Sequence, residues 1–381
     1  MNNIIFLDCT VNYGYGFGAS NTKIGFLAQG LVENGDNCII HNGIVGTNGL
    51  KNNEIKRINE KLIVISYKIR GSQLISWVIN TKQLFLDLKK YHSNNNNNII
   101  INDKCPFHFL LVYFLFAKIF GYKWVSLTHE WLPTIKIRPP QKQMYWLYTK
   151  AFGYFSDAFL PISEYIINKI SKYNKPYLKI PVLADYSNKP EIIARENYYL
   201  YCVSANYYRV IIPLIDAYNI YRTNLKGNNK LILVLGGTEI NYMRVCDYIN
   251  NNKLEPFIIT KRQIPYNELL DLYRKAKALL IPLDPRNEQD HARFSQKIAE
   301  YLSVGTPVLS NNVGEISFYF KDKENIVIAE YSKEGFAESM KWIDNNSDLI
   351  DKIGLAGYYL GKEKFNYSIC GKELHNFLLT I

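Results

Sequence analysis

The residues best suited to chemistry lie together in the segment FSQKIAEYLSVGTPVL, at 294–309. Ser295 is a favourable N-cap for a helix, and Gly305 can end that helix in the left-handed conformation. Lys297 and Glu300 stand three residues apart, so their side chains share one helix face. The segment therefore predicts a short helix with an ammonium and a carboxylate near its start, followed by a buried strand.

Such a helix start suits a phosphate group. The free N–H groups of the first turn, here those of Ser295 and Gln296, attract an anion together with the positive end of the helix dipole. The Lys297 ammonium adds a full charge, and the Glu300 carboxylate could accept from two neighbouring hydroxyls, such as those of a ribose. The alternative is a solvated ion pair on an ordinary amphipathic helix.

Composition and charge narrow the class of protein. The chain has 381 residues, of which 48% are hydrophobic and 21% charged, which predicts a folded protein of two domains. The net charge of +11 is uneven, because residues 1–185 hold 21 Lys and Arg against 11 Asp and Glu, whereas residues 186–381 hold 24 against 23. A basic first half suits anionic lipid or a phosphate-rich substrate. Nucleic acid ranks last, because no nucleic-acid-binding motif is present.

Cysteine spacing and hydropathy indicate the cytoplasm. The six cysteines are widely separated, with no CxxC pair, which is typical of a reduced protein and predicts neither a disulfide framework nor a metal site. The amino terminus lacks the features of a signal peptide. The longest apolar run, 109–117, is about half of a membrane span. We therefore expect a cytoplasmic protein without an integral membrane segment.

The first half alternates between strand and helix patterns. Residues 3–10 predict a buried strand, a glycine-rich loop follows, and residues 24–31 have the apolar spacing of a helix. Similar patterns continue as far as WVSLTH, whereas the asparagine run 94–98 predicts a loop. This alternation predicts a doubly wound parallel sheet.

Two features of this half could line a ligand site. Gly14, Gly16 and Ala19 fit a loose G-x-G-x-x-A pattern. The second strand ends in HNG at 41–43, without the acidic residue of an NAD site, so the glycines predict either close backbone approach to a substrate or a plain tight turn. His129 ends the strand WVSLTH, at the edge where open α/β sheets bind ligands, although a lone histidine is more often structural.

Residues 135–155 mix four basic side chains with six aromatic ones. Such a segment could lie at a membrane interface. We favour the alternative, a helix packed in the first domain.

The segment 294–309 resembles a motif of the retaining glycosyltransferases of the GT-B fold, family four. That family carries a pattern like F-G-x-x-x-x-E-A-x-A-x-G-x-P-V before a short strand, and a subgroup with F-S-x-K-x-x-E-Y-x-x-x-G-x-P-V is more similar still. The matching residues are Phe294, Ser295, Lys297, Glu300, Tyr301, Gly305, Pro307 and Val308. The resemblance is strong over 265–315 and looser over the rest of the chain.

The resemblance implies roles for residues elsewhere. The family's glycine loop and strand-end histidine face the donor, and they correspond here to Gly16, Gly18 and His129. The family's phosphate-binding lysine corresponds to Arg209, whereas the arginine five residues earlier corresponds to Ser204 and is missing.

The sequence departs from the family at one further position. The first glutamate of the usual Glu-x7-Glu pair corresponds to Ala292. We expect Glu288 or Asp290 to reach the same sugar hydroxyl, unless the donor differs. The departure leaves open whether the sugar's configuration is retained or inverted.

The fold that the resemblance implies is α/β, of the GT-B type, with two Rossmann-like doubly wound domains facing across a cleft. We expect an N-terminal, acceptor-side domain at 1–185 and a C-terminal, nucleotide-sugar-binding domain at 186–360. Residues 361–381 should form a helix that returns to the first domain.

The implied function is transfer of a sugar from a nucleotide-sugar donor to a glycan or polyprenyl-linked acceptor, in bacterial-type surface polysaccharide synthesis at the inner face of the membrane. The expected catalytic residues are His129, Arg209 and Lys297, and the expected substrate-binding residues are Gly16, Gly18, Ser295, Gln296, Glu300, Glu288 and Asp290. Since the donor is a substrate and no D-x-D match ends a strand, we expect neither cofactor nor metal. Two alternatives are a GT-B-fold nucleotide-sugar epimerase and a noncatalytic partner subunit of a transferase.

Overall fold

The computed structural model describes residues 1–9, 13–14, 19–103, 107–131, 139–191 and 193–381. These residues form two compact units. The first unit consists of Met1–Ala184, Ala292–Phe294 and Phe365–Ile381, and the second of Asp185–His291 and Ser295–Lys364.

The first unit has helices packed on a central sheet. Its elements before the second unit are, in order, β1 (Asn2–Cys9), α1 (Ala19–Glu33), β2 (Asn37–Asn42), β3 (Glu54–Arg57), β4 (Leu62–Ser66), α2 (Gln73–Lys90), β5 (Asn97–Asn102), α3 (Phe107–Ile119), β6 (Lys123–Thr128), α4 (Gln141–Phe155), β7 (Ala158–Pro161) and α5 (Glu164–Ile170). The strand order is β3-β4-β2-β1-β5-β6-β7, with β3 antiparallel to β4 and the other pairs parallel. The order reverses between β1 and β5, where open α/β sheets bind ligands.

The second unit repeats this plan. Its elements are β8 (Tyr198–Ser204), α6 (Tyr208–Thr223), β9 (Lys230–Gly236), α7 (Glu239–Asn251), β10 (Ile258–Lys261), α8 (Tyr266–Lys275), β11 (Ala278–Ile281), α9 (Glu288–Ala292), α10 (Gln296–Ser303), β12 (Val308–Asn311), α11 (Ile316–Tyr319), β13 (Val327–Ala329), α12 (Lys333–Asn345) and α13 (Ser347–Lys364). All pairs in the order β10-β9-β8-β11-β12-β13 are parallel. The order reverses between β8 and β11. The prediction of two Rossmann-like doubly wound domains is therefore confirmed.

The last helix, α14 (Tyr367–Thr380), packs against α1 in the first unit. The two backbones approach closely at Gly30 and Gly371, where a Cβ atom on Gly30 would lie 2.9 Å from the Cα of Gly371. Beside this crossing, His375 Nδ1 lies 2.8 Å from Asp36 Oδ2. A larger residue at either glycine would force the helices apart. Among the described residues, no helix is both long and apolar enough to span a bilayer.

The asparagine run is not the plain loop that its composition predicts. Strand β5 already begins at Asn97, and Asn98 is buried. The Asn98 side-chain oxygen accepts from Asn3 Nδ2 at 2.9 Å and from the Ser93 backbone N–H at 3.0 Å. The prediction was wrong at 97–98 because these amides satisfy one another within the fold, so polar residues can enter the sheet.

Lys23, in α1, gives the first unit a testable pH dependence. Its side chain is buried, with the residue 3% exposed, and donates to the Ile180 carbonyl oxygen at 2.8 Å. Burial lowers the pKa of Lys23 from 10.5 to about 7, against the raising effect of Cys370 and Asp103. Between pH 7 and 10.5, Lys23 therefore holds its proton in the unfolded chain but loses it in the folded protein. Since the unfolded state binds more protons in this window, the free energy of unfolding should rise with pH.

We expect the free energy of unfolding of the wild type to rise by about 1–2 kcal/mol from pH 7 to 8.5, relative to that of Lys23→Met. Urea unfolding of both proteins at the two pH values measures this difference. Comparing the proteins at each pH removes the contribution of other groups that titrate. Parallel pH profiles would show that Lys23 keeps its proton in the folded state, contrary to this account.

Candidate active site

The candidate site lies at the carboxyl edge of the sheet in the second unit. Strands β8 and β11 are neighbours at the point where the strand order reverses. Helix α10 leads into the parallel strand β12, so its start lies at this same edge. The topology thus collects the loops after β8 and β11 and the first turn of α10 in one place.

Helix α10 begins and ends as its local sequence predicts. Ser295 occupies the N-cap position with an extended backbone, and Gly305 has a φ of +67°. Ile298, Tyr301 and Leu302 are buried, which confirms the predicted core-facing side of the helix. Within the described part of the chain, the Ser295 hydroxyl makes no capping hydrogen bond, so it does not compete for the first N–H groups of the helix.

Lys297 and Glu300 form a close pair on the first turn of α10. Lys297 Nζ donates to Glu300 Oε2 at 2.5 Å, and their side chains are 29% and 9% exposed. Burial by itself lowers the pKa of Lys297, but the charge and the hydrogen bond of Glu300 outweigh it, so the pKa is raised. The ammonium therefore stays charged at neutral pH. This pair is partly buried, unlike the solvated pair of the alternative interpretation.

A tyrosine fixes α10 against the central strand β8. The Tyr301 hydroxyl oxygen accepts from the Cys202 backbone N–H at 3.0 Å, and the Tyr301 ring meets the edge of Tyr273 at 4.8 Å between centroids. Lys297 Nζ lies 5.8 Å from the centroid of the Tyr273 ring. These contacts hold the charged turn of the helix in a defined position beside the end of β8.

Arg209 lies near the start of α6, shortly after β8, and is held by Asp290 of α9. The guanidinium nitrogens Nη1 and Nη2 donate to Oδ2 and Oδ1 of Asp290 at 2.8 and 2.7 Å. Asp290 is fully buried as a side chain, whereas Arg209 is 34% exposed, and Asp290 Oδ2 also accepts from the Asp284 backbone N–H at 3.0 Å. Burial lowers the pKa of Arg209, but the bonds to Asp290 and its charge outweigh this and raise it. This geometry orients the guanidinium at the edge of the sheet.

The other residues expected at the donor site differ from one another in burial and in hydrogen-bond partners. Both Asp290 oxygens accept from Arg209, so this carboxylate orients the guanidinium, while its expected contact with a sugar hydroxyl stays a prediction. Glu288 is exposed at the start of α9. Gln296 is buried in the first turn of α10. Ser204 caps a short 3-10 helix through a bond from the Asn206 N–H at 3.3 Å. Ala292, the last residue of α9, is buried and is the one residue of that helix that belongs to the first unit.

His129 directly follows β6 in the first unit, at the predicted edge of that sheet. Its Nε2 lies 3.0 Å from Asp103 Oδ2, with side chains 10% and 4% exposed. Beside this pair is a small pocket lined by Asp103, Leu127, Thr128, Glu130, Trp131, Tyr148, Thr149 and Phe152. The sequence analysis missed Asp103. Asp103 directly follows β5, the neighbour of β6, just as His129 directly follows β6, so its position at a strand end could have identified it. Gly16 and Gly18 lie outside the described residues.

The arrangement in the second unit is suited to holding an anion. Arg209 and Lys297 are both cationic, and each is fixed by a carboxylate partner that is almost fully buried. Glu315, at the start of α11 after β12, adds another buried carboxylate at the same edge. Among the residues described, no group of three or more His, Cys, Asp or Glu side chains could hold a metal ion.

Comparisons with known proteins agree with this architecture. Residues 184–358 match the sequence model of the family described as Glycosyl transferases group 1. Among functionally curated proteins, the comparison finds no match to this sequence.

Several solved structures have a similar fold over the whole chain. A sucrose-phosphate synthase from Thermosynechococcus elongatus has a TM-score of 0.76 at 14% identity, covering 100% of this chain and 99% of its own. A glycosyltransferase from Rickettsia africae has a TM-score of 0.71 at 15% identity, covering 99% and 98%. Anabaena HepE in complex with UDP and glucose has a TM-score of 0.74 at 12% identity, covering 100% of both chains.

The fold of this chain therefore matches GT-B glycosyltransferase structures. Residues 184–358 are similar to the glycosyl transferases group 1 domain, and this match together with the fold identifies the chain as an enzyme of the glycosyltransferase class.

Proposed function

We propose that this enzyme transfers a sugar from a nucleotide-sugar donor to a glycan or a lipid-linked acceptor, with the donor's diphosphate bound at the start of α10. The observation that carries the proposal is the partly buried Lys297–Glu300 pair on the first turn of that helix, at the edge where the strand order reverses. HepE, which has a similar fold, binds UDP and glucose, so UDP is the first nucleotide to test.

The chemistry requires positive charge where the departing nucleoside diphosphate becomes more negative. Lys297 and Arg209 would supply that charge, with the first-turn N–H groups at Ser295 and Gln296 donating to the same phosphate. Because these groups are already oriented by Glu300 and Asp290, little reorganisation is needed during the reaction. We therefore propose a reaction that needs neither a metal nor a dissociable cofactor.

The donor's ribose and sugar need their own ligands. Glu300 would accept from the two ribose hydroxyls, while its Oε2 atom holds Lys297. Of Glu288 and Asp290, we propose Glu288 for the sugar hydroxyl because Asp290 already accepts from Arg209. His129 with the loop at Gly16 and Gly18 would orient the sugar and the acceptor. We propose retention of the sugar's configuration.

The proposed acceptor follows from the distribution of basic residues along the chain. Most of the chain's excess of basic residues lies in residues 1–185. This excess suits an anionic membrane surface and therefore a polyprenyl-linked acceptor, as used in the synthesis of surface polysaccharides. Contact with the inner face of the membrane would bring the enzyme to such a substrate.

We expect Glu300→Ala to weaken binding of the nucleotide sugar by about 1–3 kcal/mol, the scale of lost charged hydrogen bonds. The binding nucleotide is first identified by a thermal-shift screen of nucleoside diphosphates and their sugars, with NAD as a negative control. Isothermal calorimetry then compares the wild type, Glu300→Ala and the matched control Glu324→Ala, which removes an exposed glutamate of the same unit. Wild-type affinity in Glu300→Ala would refute the ribose role.

Incubation with the nucleotide-sugar donor distinguishes a transferase from the two alternatives, an epimerase and a noncatalytic partner subunit. A transferase releases the nucleoside diphosphate when an acceptor is present, whereas an epimerase isomerises the sugar with the donor alone. A noncatalytic partner subunit, which Ala292 and Ser204 suggest, would do neither. Turnover only with an acceptor is the result that we expect.

A further inference from the structure

The helices α2, α3 and α4 form one layer in the first unit. They connect β4 to β5, β5 to β6 and β6 to β7, so all three crossovers run in the same direction across the sheet and lie on one side of it. Ring contacts join the layer: Phe85 of α2 meets Phe116 of α3 at 5.0 Å, and Phe114 of α3 meets Phe155 of α4 at 4.6 Å. Their exposed sides therefore form a common outer surface, which we call the α2–α4 face.

Helix α2 leaves several aliphatic side chains exposed and buries three polar ones, although Leu84 and Leu88 also face the core. Its buried positions include Ser76, Asn80 and Asp87. Each has a partner inside the fold: Ser76 donates to the Arg70 carbonyl at 3.1 Å, Asn80 to the Ile44 carbonyl at 2.9 Å, and Asp87 accepts from the Tyr67 hydroxyl at 2.5 Å. Five of its exposed positions carry aliphatic residues, namely Leu74 (69% exposed), Ile75 (52%), Val78 (56%), Ile79 (40%) and Leu86 (47%).

The apolar character continues across the other two helices. Helix α3 exposes Leu111, Leu115 and Ile119, spaced four residues apart on one stripe. Helix α4 exposes Trp146 and Tyr154 while its Tyr148 and Phe152 are buried in the unit. The face thus combines a broad aliphatic surface with two exposed aromatic rings, the type of residue that sits at a membrane interface.

The charges on this face have one sign. The lysines at exposed positions of the three helices are Lys82, Lys89, Lys90, Lys118, Lys142 and Lys150. The sequence of these helices holds a single acidic residue, Asp87, and it is buried. From outside the layer, Asp157 pairs with Lys118 at 3.2 Å. The helices themselves therefore offer no exposed acid to balance the lysines.

We infer that the α2–α4 face binds the surface of an anionic lipid bilayer, with its aliphatic residues inserted among the acyl chains and its lysines at the phosphate groups. Long lysine side chains can lie along apolar surface while the ammonium reaches the headgroups. A second copy of the same face is the poorer occupant, because it would place lysine-rich surfaces against each other. The inference rests on the membrane contact of the proposed function and names the surface that makes it. Vesicle binding requires neither donor nor acceptor, so its failure would leave the proposed transfer reaction standing.

Vesicle flotation of the full chain tests this inference. We expect the wild type to float with vesicles that contain about one quarter phosphatidylglycerol and to bind pure phosphatidylcholine at least tenfold more weakly. Val78→Asp combined with Leu115→Asp should reduce binding to the anionic vesicles at least tenfold. The matched control is Ile240→Asp, which alters a 75% exposed aliphatic residue of the second unit and should bind like the wild type.

The charge contribution is tested separately. Lys89→Glu with Lys90→Glu should weaken binding about tenfold, whereas Lys321→Glu with Lys323→Glu in the second unit should not. Circular dichroism and the midpoint of thermal unfolding without nucleotide verify that every variant is folded. The inference is overturned if the wild type does not float, if the aspartate variants bind as well as the wild type, or if they instead dissociate a dimer seen by light scattering.

Discussion

Lys297→Met is expected to lower kcat for sugar transfer by about 10²- to 10³-fold, the usual effect of removing one oriented donor from a site of developing negative charge. The Lys297 ammonium is fixed by Glu300 at 2.5 Å, and the charge of that partner keeps its pKa above the ordinary value. Methionine keeps the length and much of the packing of the side chain but removes the charge. The loss should therefore appear mainly in kcat, with a smaller loss of donor affinity.

Release of the nucleoside diphosphate, followed in a coupled assay, measures this effect. The matched control is Lys275→Met, which alters a lysine of the same unit that is 50% exposed and pairs with Glu196 on the surface. Lys297→Arg should recover part of the rate, because it restores the charge with a different shape. An unchanged kcat in Lys297→Met would remove Lys297 from the proposed mechanism, even if the nucleotide still binds near α10.

The features that could be predicted from the sequence are mainly local. The start of α10 at Ser295 and its left-handed end at Gly305 follow from capping preferences of single residues. The contact between Lys297 and Glu300 follows from helical spacing alone. The doubly wound order of both sheets follows from alternating strand and helix patterns, because right-handed crossovers leave few topologies.

The partners that come from distant parts of the chain could not be predicted in this way. Asp290 is 81 residues from Arg209, and its position in the sequence suggested a direct contact with the sugar. Asp103 is a second example of a partner from a distant part of the chain. It lies beside His129 only because β5 and β6 are adjacent. Pairings of this kind depend on the register of whole elements, which no local preference specifies.

The orientation of helix α2 is another feature that could not be predicted from the sequence. Its apolar residues would ordinarily be assigned to the core, since a surface helix usually buries its apolar stripe. In the fold the core-facing positions hold Asn80 and Asp87 as well as Leu84 and Leu88, and each of the two polar residues has a partner in a loop of the first unit. Without those partners the sequence gives no reason to place the polar side inward.

The pair of Arg209 and Asp290 should affect both stability and catalysis. Arg209→Met leaves the buried carboxylate of Asp290 without its main counter-charge, which should lower the free energy of unfolding by about 2–4 kcal/mol. Because the Arg209 side chain is 34% exposed, water weakens the interaction, and we expect a value near the lower end of that range. The same substitution should also lower kcat about 10²-fold by removing charge from the departing diphosphate. Asp290→Asn keeps Arg209 but loosens its orientation, so its effect on kcat should be smaller.

The double variant Arg209→Met/Asp290→Asn separates the two effects. Removing both charges should recover most of the lost stability, with a coupling of roughly 2–3 kcal/mol in urea unfolding. The exposed pair Arg274 and Asp271, with side chains 41% and 65% exposed, is the matched control and should show a coupling below about 1 kcal/mol. Activity should not recover with stability, because the double variant still lacks the guanidinium. If kcat returned to the wild-type value along with stability, Arg209 would serve only the fold, and the phosphate charge would have to be balanced by Lys297 and the N–H groups of α10.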